Sequence, residues 1–218
     1  MLRTEHSTRL FRRLAELLPV LFLLLVALYF GSNLFSPVRF DRERIEVWAF
    51  DRQTQVTGLY HYVNRSPLPL SFSFGLPFPV DRDHPPPAAF FVSEVHADGT
   101  LCKEIATRDY HGETTFRLWF WPSQDKWIRV DYLQKTAVPQ ARYILLTTRQ
   151  WRAPLDRGDY LLHLCQGCDL VSSNYPVSRV PGTQNNYAFF RTDFLPSEDW
   201  QFSWRSSRTS GAGGGGQP

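Results

Sequence analysis

Apolar residues fall along this chain in two regimes: continuous from Leu17 to Phe35, and largely alternating beyond Ile45. Between Leu17 and Phe30 only Pro19 breaks the apolar and aromatic run, and after Gly31, Ser32 and Asn33 it resumes at Leu34 and Phe35. Nineteen helical residues at about 1.5 Å each span roughly 28 Å, close to the hydrocarbon thickness of a bilayer. The pattern predicts a single transmembrane helix over residues 14–36, anchored by Leu17, Phe22, Leu25, Tyr29 and Phe30. A cleaved secretory signal is the competing reading. The residues that follow the run lack the small-x-small spacing such a site needs.

The second regime has the period of strands. Leu70, Phe72 and Phe74 share one side of a clean alternating run, and Val56 to Val63 alternates with apolar groups on both sides. Further strands are expected at Ile45–Asp51, Gln55–Asn64, Ala89–Val95, Leu101–Ile105, Thr114–Trp121, Lys126–Leu133, Ala141–Thr148, Tyr160–Cys165 and Asn186–Asp193, with a shorter one within 196–204. Asp98-Gly99 and Pro122-Ser123-Gln124-Asp125 supply hairpin turns. Leu76 to Pro87 is too rich in proline for a ladder and reads as an ordered surface loop. Residues 39–44 read as a polar collar beside the membrane. Nine or ten short strands without a long helix predict a mainly β fold, an antiparallel β-sandwich of jelly-roll or immunoglobulin-like type, behind the N-terminal membrane helix.

Composition agrees with strands and turns: 15% of residues are aromatic, and there are 16 prolines. The organisation that results is a cytoplasmic segment over 1–13, the anchor over 14–36, the sandwich over 37–205 and a disordered Gly-rich tail over 206–218. Net charge is only +3, with no basic stripe, which argues against nucleic acid as a partner. Four arginines precede the apolar run (Arg3, Arg9, Arg12, Arg13) and four follow it (Arg39, Arg42, Arg44, Arg52), so charge does not set the orientation. A short basic segment before an apolar run favours an N-terminus in the cytoplasm. The expected location is the bacterial inner membrane, single-pass, with the C-terminal domain on the periplasmic side.

Val130-Asp131-Tyr132, Tyr143-Ile144-Leu145-Leu146-Thr147-Thr148, Trp151, Pro154-Leu155 and Gly158-x-Tyr160 together resemble a pattern in uncharacterised bacterial membrane-anchored envelope proteins. The resemblance covers Val47 to Leu164 and implies an apolar N-terminal segment carrying a β-rich extracytoplasmic domain. It implies no activity. In the residues themselves Tyr143, Trp151, Pro154, Gly158 and Tyr160 read as a structural turn motif: Trp151 caps an apolar edge, Pro154 fixes the turn and Gly158 permits the return.

Candidate chemistry is sparse. Cys165-Gln166-Gly167-Cys168 is a C-x-x-C two residues after His163, and Cys102 is the third cysteine. A local disulfide between Cys165 and Cys168, or one of them bonded to Cys102, is the structural reading. Thiol-redox work, or metal ligation by His163, Cys165 and Cys168 with His111 or Cys102, is the chemical alternative. Asp81-Arg82-Asp83-His84 reads as a turn held by Asx bonds, with cation binding or base catalysis as its alternative. Asn64-Arg65-Ser66 is a formal glycosylation sequon. His61, His96 and His111 are scattered and read as strand-surface or solvated groups. No nucleophile elbow, phosphate loop or dinucleotide fingerprint occurs, so neither catalysis nor a cofactor is expected. The leading expectation is a non-catalytic accessory subunit whose partners are the lipid bilayer and the other subunits of a larger respiratory, photosynthetic or transport complex. A solute- or glycan-binding sandwich using Trp119, Trp121 and Trp127 is a further expectation.

Overall fold

A computed structural model describes residues 36–110 and 113–206, together with the isolated residue 19. The anchor residues Leu17, Phe22, Leu25, Tyr29 and Phe30, His111 and the tail from 207 onward lie outside the described residues. Among the described residues no helix is long and apolar enough to cross a membrane. The compact unit begins at Val38. It is mainly β, with strands β1 (Val38–Ala49), β2 (Gln53–Asn64), β3 (Leu70–Leu76), β4 (Ala89–Val95), β5 (Leu101–Glu104), β6 (Thr107–Tyr110) and β7 (Glu113–Phe120). β8 (Asp125–Lys135) and β9 (Gln140–Tyr143) lead into a 3-10 helix (Leu146–Trp151). β10 (Leu155–Leu164), β11 (Cys168–Ser173), β12 (Ser178–Arg179), β13 (Asn186–Phe194) and β14 (Trp200–Ser206) complete the unit.

The strands form an eight-stranded sheet, ordered β12-β13-β10-β1-β2-β8-β4-β5, and two three-stranded sheets, β11-β14-β9 and β3-β7-β6. Apolar side chains of all three meet in one core. Tyr62 of β2 packs on Phe74 of β3, and Tyr160 of β10 on Trp200 of β14, with centroids 4.5 and 5.9 Å apart. The small sheets thus cover one face of the large sheet; on the other, the open face, no sheet packs among the described residues. The large sheet is mixed rather than purely antiparallel, because β1 runs parallel to β10 from Arg42↔Arg157 to Ala49↔Leu164.

Three expectations need correcting. Residues 39–44 are not a collar but the start of β1, and a β-bulge between Phe40 and Arg42 explains the misreading. Strict alternation would place Phe40 with Arg42 and Arg44. The extra residue, Asp41, resets the phase so that Val38 and Phe40 share the core face with Glu43, Ile45 and Val47.

Ala141 to Thr148 is not one strand either. The ladder stops at Tyr143, where Asp199 Oδ1 accepts the amides of Leu145 and Leu146 at 2.9 and 3.0 Å and tips the chain into the 3-10 helix. Third, Gly158 does not permit the return. That falls at Arg152, whose φ is 56°, while Gly158 lies inside β10 opposite Glu43. A Cβ there would sit 2.6 Å from the hydroxyl of Tyr160, whose ring folds back over it. Gly58 stands in the same relation to Tyr60, at 2.2 Å. Of the other motif residues, Trp151 packs among Phe40, Tyr62, Phe72 and Phe74, and Pro154 lies in the link to β10.

Candidate functional site

Alternation along β7 turns Phe116, Leu118 and Phe120 into the core and leaves Arg117, Trp119 and Trp121 facing outward. Trp119 and Trp121 are 53% and 62% exposed, large values for indoles, and their rings meet edge to face at 6.2 Å. The backbone beneath Trp121 is tied down from several sides. Its N–H donates to Gln124 Oε1 at 2.9 Å, and its carbonyl accepts from Asn64 Nδ2 at 2.8 Å and from the Gln124 amide at 3.2 Å. Asn64 is fully buried, and its side chain also holds the Leu68 carbonyl and the Ser66 amide. The sequon is therefore no glycan acceptor in the folded chain: Asn64 is a clamp under the tryptophans.

Beside these indoles lies a cleft of about 430 Å3, where the large sheet meets the β3-β7-β6 sheet. Trp119, Trp121, Arg117, Leu118 and Gln124 line one side; Glu94, Lys103, Glu104, Ile105 and Lys126 line the other. At its base the almost buried Lys126 donates to Glu94 Oε1 at 2.5 Å. Lys103 Nζ lies 3.2 Å from Glu94 Oε2, an ion-pair contact without the alignment of a hydrogen bond, so that buried oxygen keeps an unused acceptor site. Burial pushes the Glu94 carboxyl up, but Lys126 and Lys103 outweigh it and hold the group below the usual glutamate range. Glu94 is thus ionised at neutral pH.

Trp127 does not join this site. It sits on the open face of the large sheet against His61, at 4.6 Å between centroids. His61 is itself held by Asp41 Oδ1 (2.6 Å, to Nδ1) and Asp125 Oδ2 (3.0 Å, to Nε2). Two carboxylate acceptors require both ring nitrogens to donate, which only the imidazolium does. Burial pushes the His61 pKa down, and the two carboxylates more than reverse it, so the net direction is up. Sequence reading missed this trio because its members come from three strands and one of them is the bulge residue.

Cys165 and Cys168 are disulfide-bonded across a tight turn with Gly167 at φ 74°, and Cys168 is 3% exposed. The bond closes the link from β10 to β11, and among the described residues no helix follows it. His163 stacks on Trp48 at 4.9 Å, and Cys102 is a free, exposed thiol on β5, five strands away from β10 in the sheet order. Among the described residues no group of three His, Cys, Asp or Glu side chains is placed to hold a metal ion. In the 81–84 loop Asp81 Oδ1 accepts from the amides of Asp83 and His84 and from His84 Nδ1, which is the Asx arrangement expected there.

No protein-family model matches the chain, and no curated protein sequence does. Among solved structures there are similar ones. A candidate nutrient-binding protein from Legionella pneumophila superposes with a TM-score of 0.59 at 13% identity, over 77% of this chain and 67% of that one. An M1 zinc metallopeptidase from Deinococcus radiodurans gives 0.45 at 7% identity, with the chain covering 42% of its length. At 13% identity the likeness to the first of these is one of fold.

Proposed function

We propose that this protein is a non-catalytic binding domain that takes a small polyhydroxylated solute or a short glycan segment in the Trp119–Trp121 cleft, carried on the membrane by its N-terminal anchor. The observation that carries the reading is the pair of exposed, edge-to-face indoles beside a polar, ion-paired floor. Sugars present flat C–H faces that stack on indole and hydroxyls that seek paired donors and acceptors. The exposed Lys103, Glu104 and Arg117 around the cleft meet the second need. Clamping by Asn64 and Gln124 fixes the platform before any ligand arrives, which lowers the ordering cost of binding. The fold shared with a candidate nutrient-binding protein is consistent with a binding role. The Cys165–Cys168 disulfide suits an oxidising compartment, and so a domain on the outer side of the inner membrane. Titrating the full chain with a panel of mono- and oligosaccharides, followed by tryptophan fluorescence, tests the reading. Binding that disappears in Trp119→Ala and Trp121→Ala supports it; silence across the panel overturns it.

A second reading, an accessory subunit of a larger membrane complex, draws on a different surface. Phe91 and Phe190 stand 69% and 62% exposed on the open face of the large sheet. Mild detergent extraction and native sizing test it, and a chain that always runs alone counts against it.

A further inference from the structure

Resting on that reading of the cleft, we infer that its ligand is an acidic sugar, recognised through a carboxylate. The cleft carries three cations, Lys103, Arg117 and Lys126, against two carboxylates, Glu94 and Glu104. Glu94 is ionised and shared between two lysines, so it neutralises only one of them. Each ammonium has three donors and accepts nothing, and the guanidinium has five donors. Lys126 spends one donor on Glu94 and Lys103 makes only an ion-pair contact with it, so the remaining donors suit a ligand rich in acceptors. Lys126 is the decisive group. Its side chain is only 8% exposed, so a carboxylate reaching it leaves water behind, and the attraction is far less screened than at an open surface. Lys103, 63% exposed, and Arg117 stand nearer the solvent and steer an anion inward. One acidic sugar ring satisfies both halves of the site: its C–H face lies on an indole, a hydroxyl donates to the exposed carboxylate of Glu104, and its carboxylate accepts from the cations. A neutral sugar uses only the first two.

The test compares an oligoglucuronate with the oligoglucoside of the same linkage and length, titrated against the full chain and against Lys103→Gln/Arg117→Gln, Lys126→Gln and Trp119→Ala. Lys103 and Arg117 are exposed, so the double variant keeps its fold even if Lys126→Gln does not. The expected result is a preference of about tenfold or more for the acidic oligomer, equivalent to ~1.4 kcal/mol. The preference falls in the double variant and at high salt, and Trp119→Ala abolishes the binding of both oligomers. Equal binding of the two oligomers overturns the acidic ligand and leaves the sugar site standing. Acidic binding that survives Trp119→Ala overturns the inference as well, because it reports general attraction to a basic chain. If neither oligomer nor any member of the wider panel binds, the sugar reading itself falls.

Discussion

The two faces of the large sheet hold ionisable groups whose pKa values are both raised, for opposite physical reasons. On the open face His61 gains its proton because two carboxylates reward the charged form. On the buried face burial lifts Glu43 from 4.5 to about 7 by penalising the charged form, and the hydrogen bond donated by Tyr160 only partly offsets it. Beside Glu43 the hydroxyls of Tyr60 and Tyr143 meet at 2.7 Å. A single inserted residue, Asp41, separates the two environments. The sheet therefore handles charge by pairing it on one side and by suppressing it on the other. Neighbouring open-face residues follow the pairing rule, with Arg129 on Asp131 and Arg157 on Asp159 at 2.7 Å each.

Removing the buried partner is the most severe way to break this contrast. Tyr160→Ala opens a cavity beneath Phe189 and Trp200 and strands Glu43, and should cost ~3–5 kcal/mol in urea unfolding. The pH profile comes next. The folded state holds a proton on Glu43 up to about pH 7, and the unfolded state gives it up near 4.5. Stability is therefore highest below pH 4.5 as far as this group goes, and falls by about 3 kcal/mol as pH rises to 7. Glu43→Gln should flatten that slope; an unchanged slope would mean that Glu43 is not the buried acid responsible. Gly58→Ala should cost ~1–3 kcal/mol, because its methyl displaces Tyr60 and breaks the bond to Tyr143.

His61→Gln on the open face should cost only ~1 kcal/mol. The contribution it removes is present below pH 6.5 and fades as pH climbs through the raised value, so the loss should vanish at alkaline pH. Smallest of all, Trp119→Ala should leave stability within ~0.5 kcal/mol while removing ligand binding, because the exposed indole contributes little to the core.

Several features were legible from residues alone. The alternation in β7 and β8, the Asp98-Gly99 hairpin with Gly99 at φ 87° and the closure of Cys165 on Cys168 follow from local pattern. Trp119 and Trp121 on one outward face follow too. Their cleft was not legible, since Glu94 and Lys126 meet through the pairing of β4 with β8, set by long-range register. Glu43 was hidden among Arg42 and Arg44 because the bulge shifts the phase of the strand by one residue. Thr107–Tyr110 and Cys168–Ser173 were not read as strands, being short runs that take their ladder bonds from β7 and β14. Trp127 shares composition with the cleft tryptophans, yet the odd-even phase of β8 sends it to the opposite side.

The parallel seam between β1 and β10 has a consequence in time. During synthesis β1 emerges first and finds β2 at once, but its second neighbour begins at Leu155, more than a hundred residues later. Until then one whole row of amides and carbonyls on β1 is open, with Val47 and Ile45 beside it, a template for the wrong strand. A nascent chain is thus exposed to mispairing for most of its production. Co-expression of a holding chaperone should raise the yield of full-length protein more than any single stabilising substitution does.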